Sequence, residues 1–322
     1  MTRPVALALR ALGLGDFLTG LPALSLLKQA LPDHSVVLAA PAVFTPLVPY
    51  VAAVDHLVPT GELMPVDLSY AGVDVAVDLH GKGPESRRLL AQLQPGRLVG
   101  FADPAARLLG PPWFAAEHEV ARWCRLVATA FELSCAPWPS VVGAVDVPPL
   151  AVAEGLTLLH PGAGAASRRW PADRFATVAA QLIREGHRVV ITGGSAERTL
   201  AEQVAAASGA PTMLDLPLLQ LLATVATARL VVCGDTGIGH VASNYRTPSV
   251  LLFGPVRPEE WGPPDDPVHR VIFAGDGTGD PHGTDPDPAL LRITVPQVLD
   301  AVHSVLGALD EEHQPLLVGR GE

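Results

Sequence analysis

Twice along this chain, short apolar runs rich in β-branched residues alternate with segments of helical period, and that double alternation limits the fold more than any other feature. In the first half the apolar runs are residues 5–9, 36–40 and 73–78, with one helical pattern ending near Ala30 and another over 84–93. In the second half they are 156–160, 188–192, 230–234 and 249–253, with helical patterns over 171–185 and 196–208 and a last one over 294–309. A strand that is apolar at every position is covered on both faces, so each half predicts a parallel sheet between helices. The expected class is α/β, with two doubly wound, Rossmann-like units facing each other across a cleft. Residues 137–149 carry four prolines and one charge between the units. The boundaries expected are a unit over 1–143, a linker over 144–155, a unit over 156–309 and a frayed tail over 310–322.

Composition removes several functions. With 322 residues, 48% of them hydrophobic and 17% charged, the chain can bury two ordinary cores. The net charge is −11, and acids outnumber bases in both halves, 13 to 10 over residues 1–150 and 20 to 12 afterwards. A nucleic-acid binder needs a dense positive footprint, so no nucleic-acid partner is expected. Lys occurs twice, at Lys28 and Lys82, against 20 Arg, which reads as codon bias toward G+C. Cys124, Cys135 and Cys233 have no CxxC spacing and the 11 His are scattered, so neither a disulfide scaffold nor a structural metal site is expected. Arg10 and Asp16 interrupt an apolar N-terminus that otherwise imitates a signal peptide, and Pro41, Pro46 and Pro49 break the charge-free stretch 34–54. The chain is therefore expected to be cytoplasmic, with no transmembrane segment.

Three strand exits carry chemistry. Gly13-Leu-Gly15-Asp16 follows the first strand, where open α/β sheets hold ligands. It lacks the third glycine of a dinucleotide fingerprint, but two glycines let the backbone turn tightly and present Asp16 to the cleft. Equally, Asp16 can be a helix N-cap. The second exit is His160-Pro-Gly162-Ala-Gly-Ala-Ala-Ser167-Arg168-Arg169-Trp170-Pro171. Small residues, a following helix and two cations suit an anion, although an ordinary turn with solvated arginines has the same composition. Trp170 reads as a packing anchor. The third, Gly234-Asp235-Thr236-Gly237-Ile-Gly239-His240, offers the Thr236 and Gly237 amides to a phosphate. Its Gly237-x-Gly239-x-x-Ala242 frame also fits a loose dinucleotide pattern, and His240 alone reads as a buried histidine. A further basic stretch, His80, Lys82, Arg87 and Arg88, stands at the first sheet's edge as an anionic-acceptor contact or a solvated helix start. The tract 275–288, with its four Asp, does not match calcium-loop spacing and reads as solvated loop without an assignable role.

These residues, taken together from Ala8 to about Val302, resemble glycosyltransferase family 9, the ADP-heptose heptosyltransferases of lipopolysaccharide core assembly. The pieces that carry the likeness are Leu12 to Asp16 with Leu21-Pro-Ala-Leu24, His160-Pro-Gly-Ala with Arg169-Trp-Pro171 and Arg174-Phe175, Gly193-Gly194 with Glu197, Gly234-Asp-Thr-Gly237 with His240, and Phe253-Gly254. The resemblance implies a GT-B fold, with a nucleotide-sugar donor, ADP-heptose, as co-substrate in the second unit and an acceptor in the first. It implies inversion at the anomeric carbon without a cofactor or metal. Asp16 then matches the catalytic base. Gly162, Ser167, Arg168, Asp235, Thr236, Gly237, Gly239 and His240 fall in the donor's diphosphate site, and Glu197 matches an acid that contacts its ribose. Arg168 stands where the family usually has a lysine, which keeps the charge and changes its geometry. Gly15, His80, Lys82, Arg87 and Arg88 fall to the acceptor, a lipopolysaccharide-type glycan, a glycolipid or a small aglycone, met in transient association with a membrane surface. Three other functions fit parts of the pattern: a nucleotide-sugar 2-epimerase on the same scaffold, an NAD-dependent oxidoreductase built on Gly237 and Gly239, and a noncatalytic sugar-binding module.

Overall fold

The computed structural model describes residues 3–134, 143–147 and 150–312. The proline-rich stretch 137–149 and the tail beyond 312 lie outside it but for 143–147, as does Cys135. Strands β1 (Val5–Leu9), β2 (Ser35–Ala40), β3 (His56–Pro59), β4 (Val75–Asp78) and β5 (Arg97–Val99) form one parallel sheet in the order β3-β2-β1-β4-β5. Strands β6 (Thr157–His160), β7 (Val189–Gly193), β8 (Thr212–Leu214), β9 (Leu230–Gly234), β10 (Ser249–Phe253) and β11 (His269–Phe273) form a second, in the order β11-β10-β9-β6-β7-β8. Both are therefore doubly wound. The order reverses between β1 and β4 in the first sheet and between β6 and β9 in the second, and such reversals open the crevices in which ligands sit.

The helices are α1 (Leu14–Ala30), α2 (Glu85–Ala91), α3 (Glu119–Phe131), α4 (Ala172–Arg184), α5 (Arg198–Ser208), α6 (Leu218–Ala226), α7 (Gly237–Tyr245), α8 (Pro258–Trp261), α9 (Pro288–Arg292) and α10 (Val295–Glu312). Among the described residues none is long and apolar enough to cross a membrane. The core is layered. Leu7, Leu9, Val37 and Ala76 pack on the outer face of the first sheet, and Leu159, Ile191, Val232 and Leu252 on the outer face of the second. Between the sheets, Leu18 and Leu21 of α1, Trp123 and Val127 of α3 and Val241 of α7 join Ala8, Leu158 and Val231 in one continuous cluster. Trp170 is an anchor as expected: it is buried, its ring meets Phe175 edge-on, and its Nε1 donates to the Ile293 carbonyl at 3.0 Å.

The segment 143–147 is tied to both units. Asn244 of α7 exchanges hydrogen bonds with the Val145 backbone at 3.1 and 3.0 Å, and the Asp146 amide donates to Tyr50 at 3.0 Å. The tract 275–288 is not merely solvated. Its Gly283 carbonyl accepts from the Ser167 amide at 3.1 Å, and the Asp287 amide donates to the Ser167 carbonyl at 3.2 Å, so the tract docks on the loop after β6.

Candidate active site

The exits of β1, β4, β6 and β9, the four strands at the two reversals, converge on one cleft of about 790 Å³. The two units approach most closely at α1 and α7. A methyl on Gly15 would meet the His240 ring at 2.7 Å, and one on Gly237 would meet Leu14 Cβ at 3.1 Å and the Gly15 amide nitrogen at 3.4 Å. Two helix N-termini thus open on the same space. Each concentrates unpaired amides and partial positive charge, so together they favour an anion. The Thr236 hydroxyl makes no capping bond to α7 among the described residues, which leaves that turn's amides available.

Asp16 is not the N-cap. Gly13 is, and Asp16 stands in the first turn of α1, its side chain about a quarter exposed at 26% and lining the cleft. Burial pushes its carboxyl above the ordinary range, Arg10 draws it down and Glu119 raises it again, with the net shift upward. Opposite stands Asp235, buried, whose carboxyl burial also pushes up against the pull of Arg168 at 3.6 Å. The Arg168 Nε and the Ser167 hydroxyl are buried without a hydrogen-bond partner among the described residues. Unpartnered buried polar groups are costly, and here they flank the anion-favouring helix ends.

Glu197 also lines the cleft. Its carboxylate accepts from the Gly194 amide at 2.9 Å and lies 3.5 Å from His160 Nε2. Burial pushes that carboxyl up, but the His160 contact and the Gly194 amide outweigh it and hold it below the usual range. His160 in turn pairs through Nδ1 with the Thr192 hydroxyl at 3.1 Å. His240 is buried against Gly15 and the Trp261 ring, and burial drives its pKa down to about 4, so it is neutral in the cleft at pH 7.

Gly15, Asp16 and His80 from the first unit and Arg168, Glu197, Asp235, Thr236, Gly237 and His240 from the second therefore share one lining. Six other expected residues take different positions. Gly162 makes room: a methyl there would overlap the Glu197 carboxylate. Ser167 anchors the 275–288 tract through its backbone, and Gly239 faces the sheet, with Leu251 Cδ2 3.2 Å and Cys233 Sγ 3.5 Å from where a Cβ would sit. Arg87 turns inward, donating to the Phe101 and Lys82 carbonyls, each at 2.7 Å, and pairing with Asp103 at 3.0 Å, so its charge is spent on the fold. Lys82 and Arg88 are exposed outside the lining, so of the expected acceptor residues only Gly15 and His80 line the cleft. Glu119, Arg122 and Trp123 of α3 and the Pro281-His282 pair line the cleft without having been expected there, and His160, which opens the second strand exit, lines it too. The α3 residues were accessible to period alone, since Val120, Trp123, Cys124 and Val127 recur at helical spacing and are all buried.

Fold and site together define a two-unit α/β protein of GT-B type whose cleft sets two facing helix ends beside the Asp16 carboxylate. The family model described as glycosyltransferase family 9 (heptosyltransferase) matches residues 111–274, just over half the chain. The chain belongs to that family. Lipopolysaccharide heptosyltransferase 2 of Salmonella typhimurium is 30% identical over 151 residues, 44% of this chain and 43% of that protein, so the alignment spans less than half of the curated relative. Over the whole length the fold matches the structure of E. coli ADP-heptose lps heptosyltransferase II, with TM-score 0.76 and 23% identity over 96% of this chain and 99% of that one. A more distant match is the iron-containing dodecameric glycosyltransferase TibC of enterotoxigenic E. coli, TM-score 0.62 and 15% identity over 96% and 77% of the two chains. Among the described residues no group of three or more His, Cys, Asp and Glu is placed to hold a metal.

Proposed function

We propose that the chain transfers heptose from ADP-heptose to a hydroxyl of a lipopolysaccharide-type acceptor, with inversion at the anomeric carbon. The observation that carries this reading is the facing of Asp16, with its raised carboxyl, and the Arg168–Asp235–Thr236 corner across a single cleft. Asp16 takes the proton from the acceptor hydroxyl as that oxygen bonds to the anomeric carbon. The bond from that carbon to the diphosphate breaks, and its electron pair leaves on the diphosphate oxygen. Arg168 and the amides opening α7 offset the charge that develops there. Glu197, held ionised, receives the ribose hydroxyls, and the second unit binds the donor while the first binds the acceptor. The positive ends of two helices and Arg168 supply the charge that a metal would otherwise bring, so transfer is expected to survive a chelator. The protein works in the cytoplasm and meets a lipid-linked acceptor transiently at the membrane surface.

An epimerase would turn over donor without acceptor, and nothing in the cleft favours it. The dinucleotide alternative loses its support because Gly239 is committed to packing on Leu251. The test pairs Asp16→Asn with Arg168→Ala. Asp16→Asn should lower kcat by about 10²- to 10⁴-fold with ADP affinity near wild type. Arg168→Ala should weaken ADP by roughly 10- to 100-fold, the loss of a charge-assisted hydrogen bond. Normal turnover by Asp16→Asn would sink the base assignment, and binding of UDP or NAD in place of ADP would sink the donor.

A further inference from the structure

Asp16 shares its cation with a second carboxylate. Arg10 leaves β1 almost wholly buried, at 1% exposure, and its Nε donates to the Asp16 carbonyl while its Nη1 donates to the Leu79 carbonyl at 2.5 Å. Its Nη2 reaches Asp16 Oδ1 at 3.2 Å, the Thr19 hydroxyl at 3.0 Å and Glu119 Oε1 at 3.0 Å. Glu119 opens α3 and is itself buried, accepting from Trp123 Nε1 at 2.7 Å and pairing with Arg122. An acid in a first turn serves the helix dipole equally well when exposed, at far lower desolvation cost. Burying one beside the cleft, on the guanidinium that grips Asp16, calls for another reason.

We propose that Glu119 is a positioning residue for Asp16: by occupying one side of the Arg10 guanidinium, it sets the angle and strength with which Arg10 holds the Asp16 carboxylate toward the cleft. This rests on the base role proposed above. The groups around the pair are Arg10 from β1, His80 after β4, Glu119, Arg122 and His118 from the α3 end, and Asp235, His240 and Arg168 from the second unit. Of these, Glu119 favours the protonated carboxyl at Asp16 and Arg10 opposes it, while Asp16 in turn raises Asp235. Neutralising Glu119 leaves Arg10 undivided, so the Asp16 carboxylate is held more tightly and becomes a weaker base. Neutralising Arg122 leaves the Glu119 charge less compensated and works the other way.

The experiment compares wild type, Glu119→Gln and Arg122→Gln in two readouts. One is the Asp16 carboxyl titration followed by carbon NMR, assigned with Asp16→Asn. The other is the pH profile of kcat/KM for transfer from ADP-heptose. Glu119→Gln should move the titration and the acid limb to lower pH and reduce the plateau kcat by roughly 3- to 10-fold, with donor KM within about twofold. Arg122→Gln should move both upward, and it serves alone should Glu119→Gln fail to fold. A lowered Tm with both readouts unmoved would make Glu119 merely structural and overturn the proposal. If no form transfers sugar, the transferase reading fails, and the carboxyl titration still decides whether Glu119 acts on Asp16 through Arg10.

Discussion

Asp16 was legible because a tight glycine turn at a strand exit leaves few places for an acid to point. Its controller was not. Arg10 is one of 20 arginines with no spacing signal, and its partner Glu119 lies 109 positions away, so only the fold joins them. Arg87 shows the converse limit: a local run of cations says nothing about which of them turns inward to carbonyls and Asp103. The glycines of the first turn make a prediction at this scale. A methyl on Gly13 meets nothing closer than Asp16 Oδ2 at 3.6 Å, an ordinary contact at a φ of −73° that any residue adopts. A methyl on Gly15 drives into the His240 ring. Gly15→Ala should therefore cost about 1–3 kcal/mol and weaken ADP binding, while Gly13→Ala leaves both nearly unchanged. Urea unfolding and ADP calorimetry of the two variants check this, and equal losses from both would contradict it.

At the scale of elements, β1, β9 and β10 coincide with the apolar runs that announced them, because a central strand covered on both faces has no polar position to blur its ends. The edge strands β3, β5 and β8 span only three or four residues, too short for any period to register. Helix α3 follows no glycine-rich strand exit, so only the period of Val120, Trp123, Cys124 and Val127 marks it; its N-cap is His118, whose Nδ1 accepts from the Val120 amide at 3.3 Å. Helix α1 holds a sharper lesson in Gly20. A glycine inside a helix ordinarily costs about 1 kcal/mol against alanine. Here a methyl would sit 2.6 Å from Arg10 Cδ, so the glycine is what lets Arg10 pass beneath the helix to Asp16 and Glu119. Gly20→Ala should accordingly destabilise by about 1–3 kcal/mol, the reverse of the propensity effect, and should lower kcat by displacing Arg10. A urea midpoint at or above wild type would show that Arg10 relaxes freely.

The whole molecule is organised around the apolar layer between its two sheets, and alternation along the sequence could announce both sheets but not that α1, α3 and α7 would fuse them through one cluster. His240 sits in that layer, where burial, His118 and the arginines Arg10 and Arg168 hold its pKa at about 4 despite the pull of Glu119. In the unfolded chain the same imidazole titrates near 6.5. Below that value the unfolded state binds the proton and the folded state does not, so stability rises with pH through this window and is lost as pH falls from about 6.5 toward 4. His269, also lowered to about 4 by burial, adds a contribution of the same sign. Asp78 opposes them: burial lifts it to about 6, so its folded form gains protons first and is favoured as pH falls. Because these contributions overlap, a single wild-type curve cannot assign them, but the difference between wild type and His240→Gln can. Going from pH 7 to 4.5, His240→Gln should lose about 2 kcal/mol less than wild type in urea unfolding, whatever its stability at pH 7. The gap should close with saturating ADP at neither pH, since most of the histidine stays neutral in the folded state down to pH 4.5. Parallel pH curves for the two proteins would mean that water reaches His240 and that the layer joining the sheets opens at the cleft.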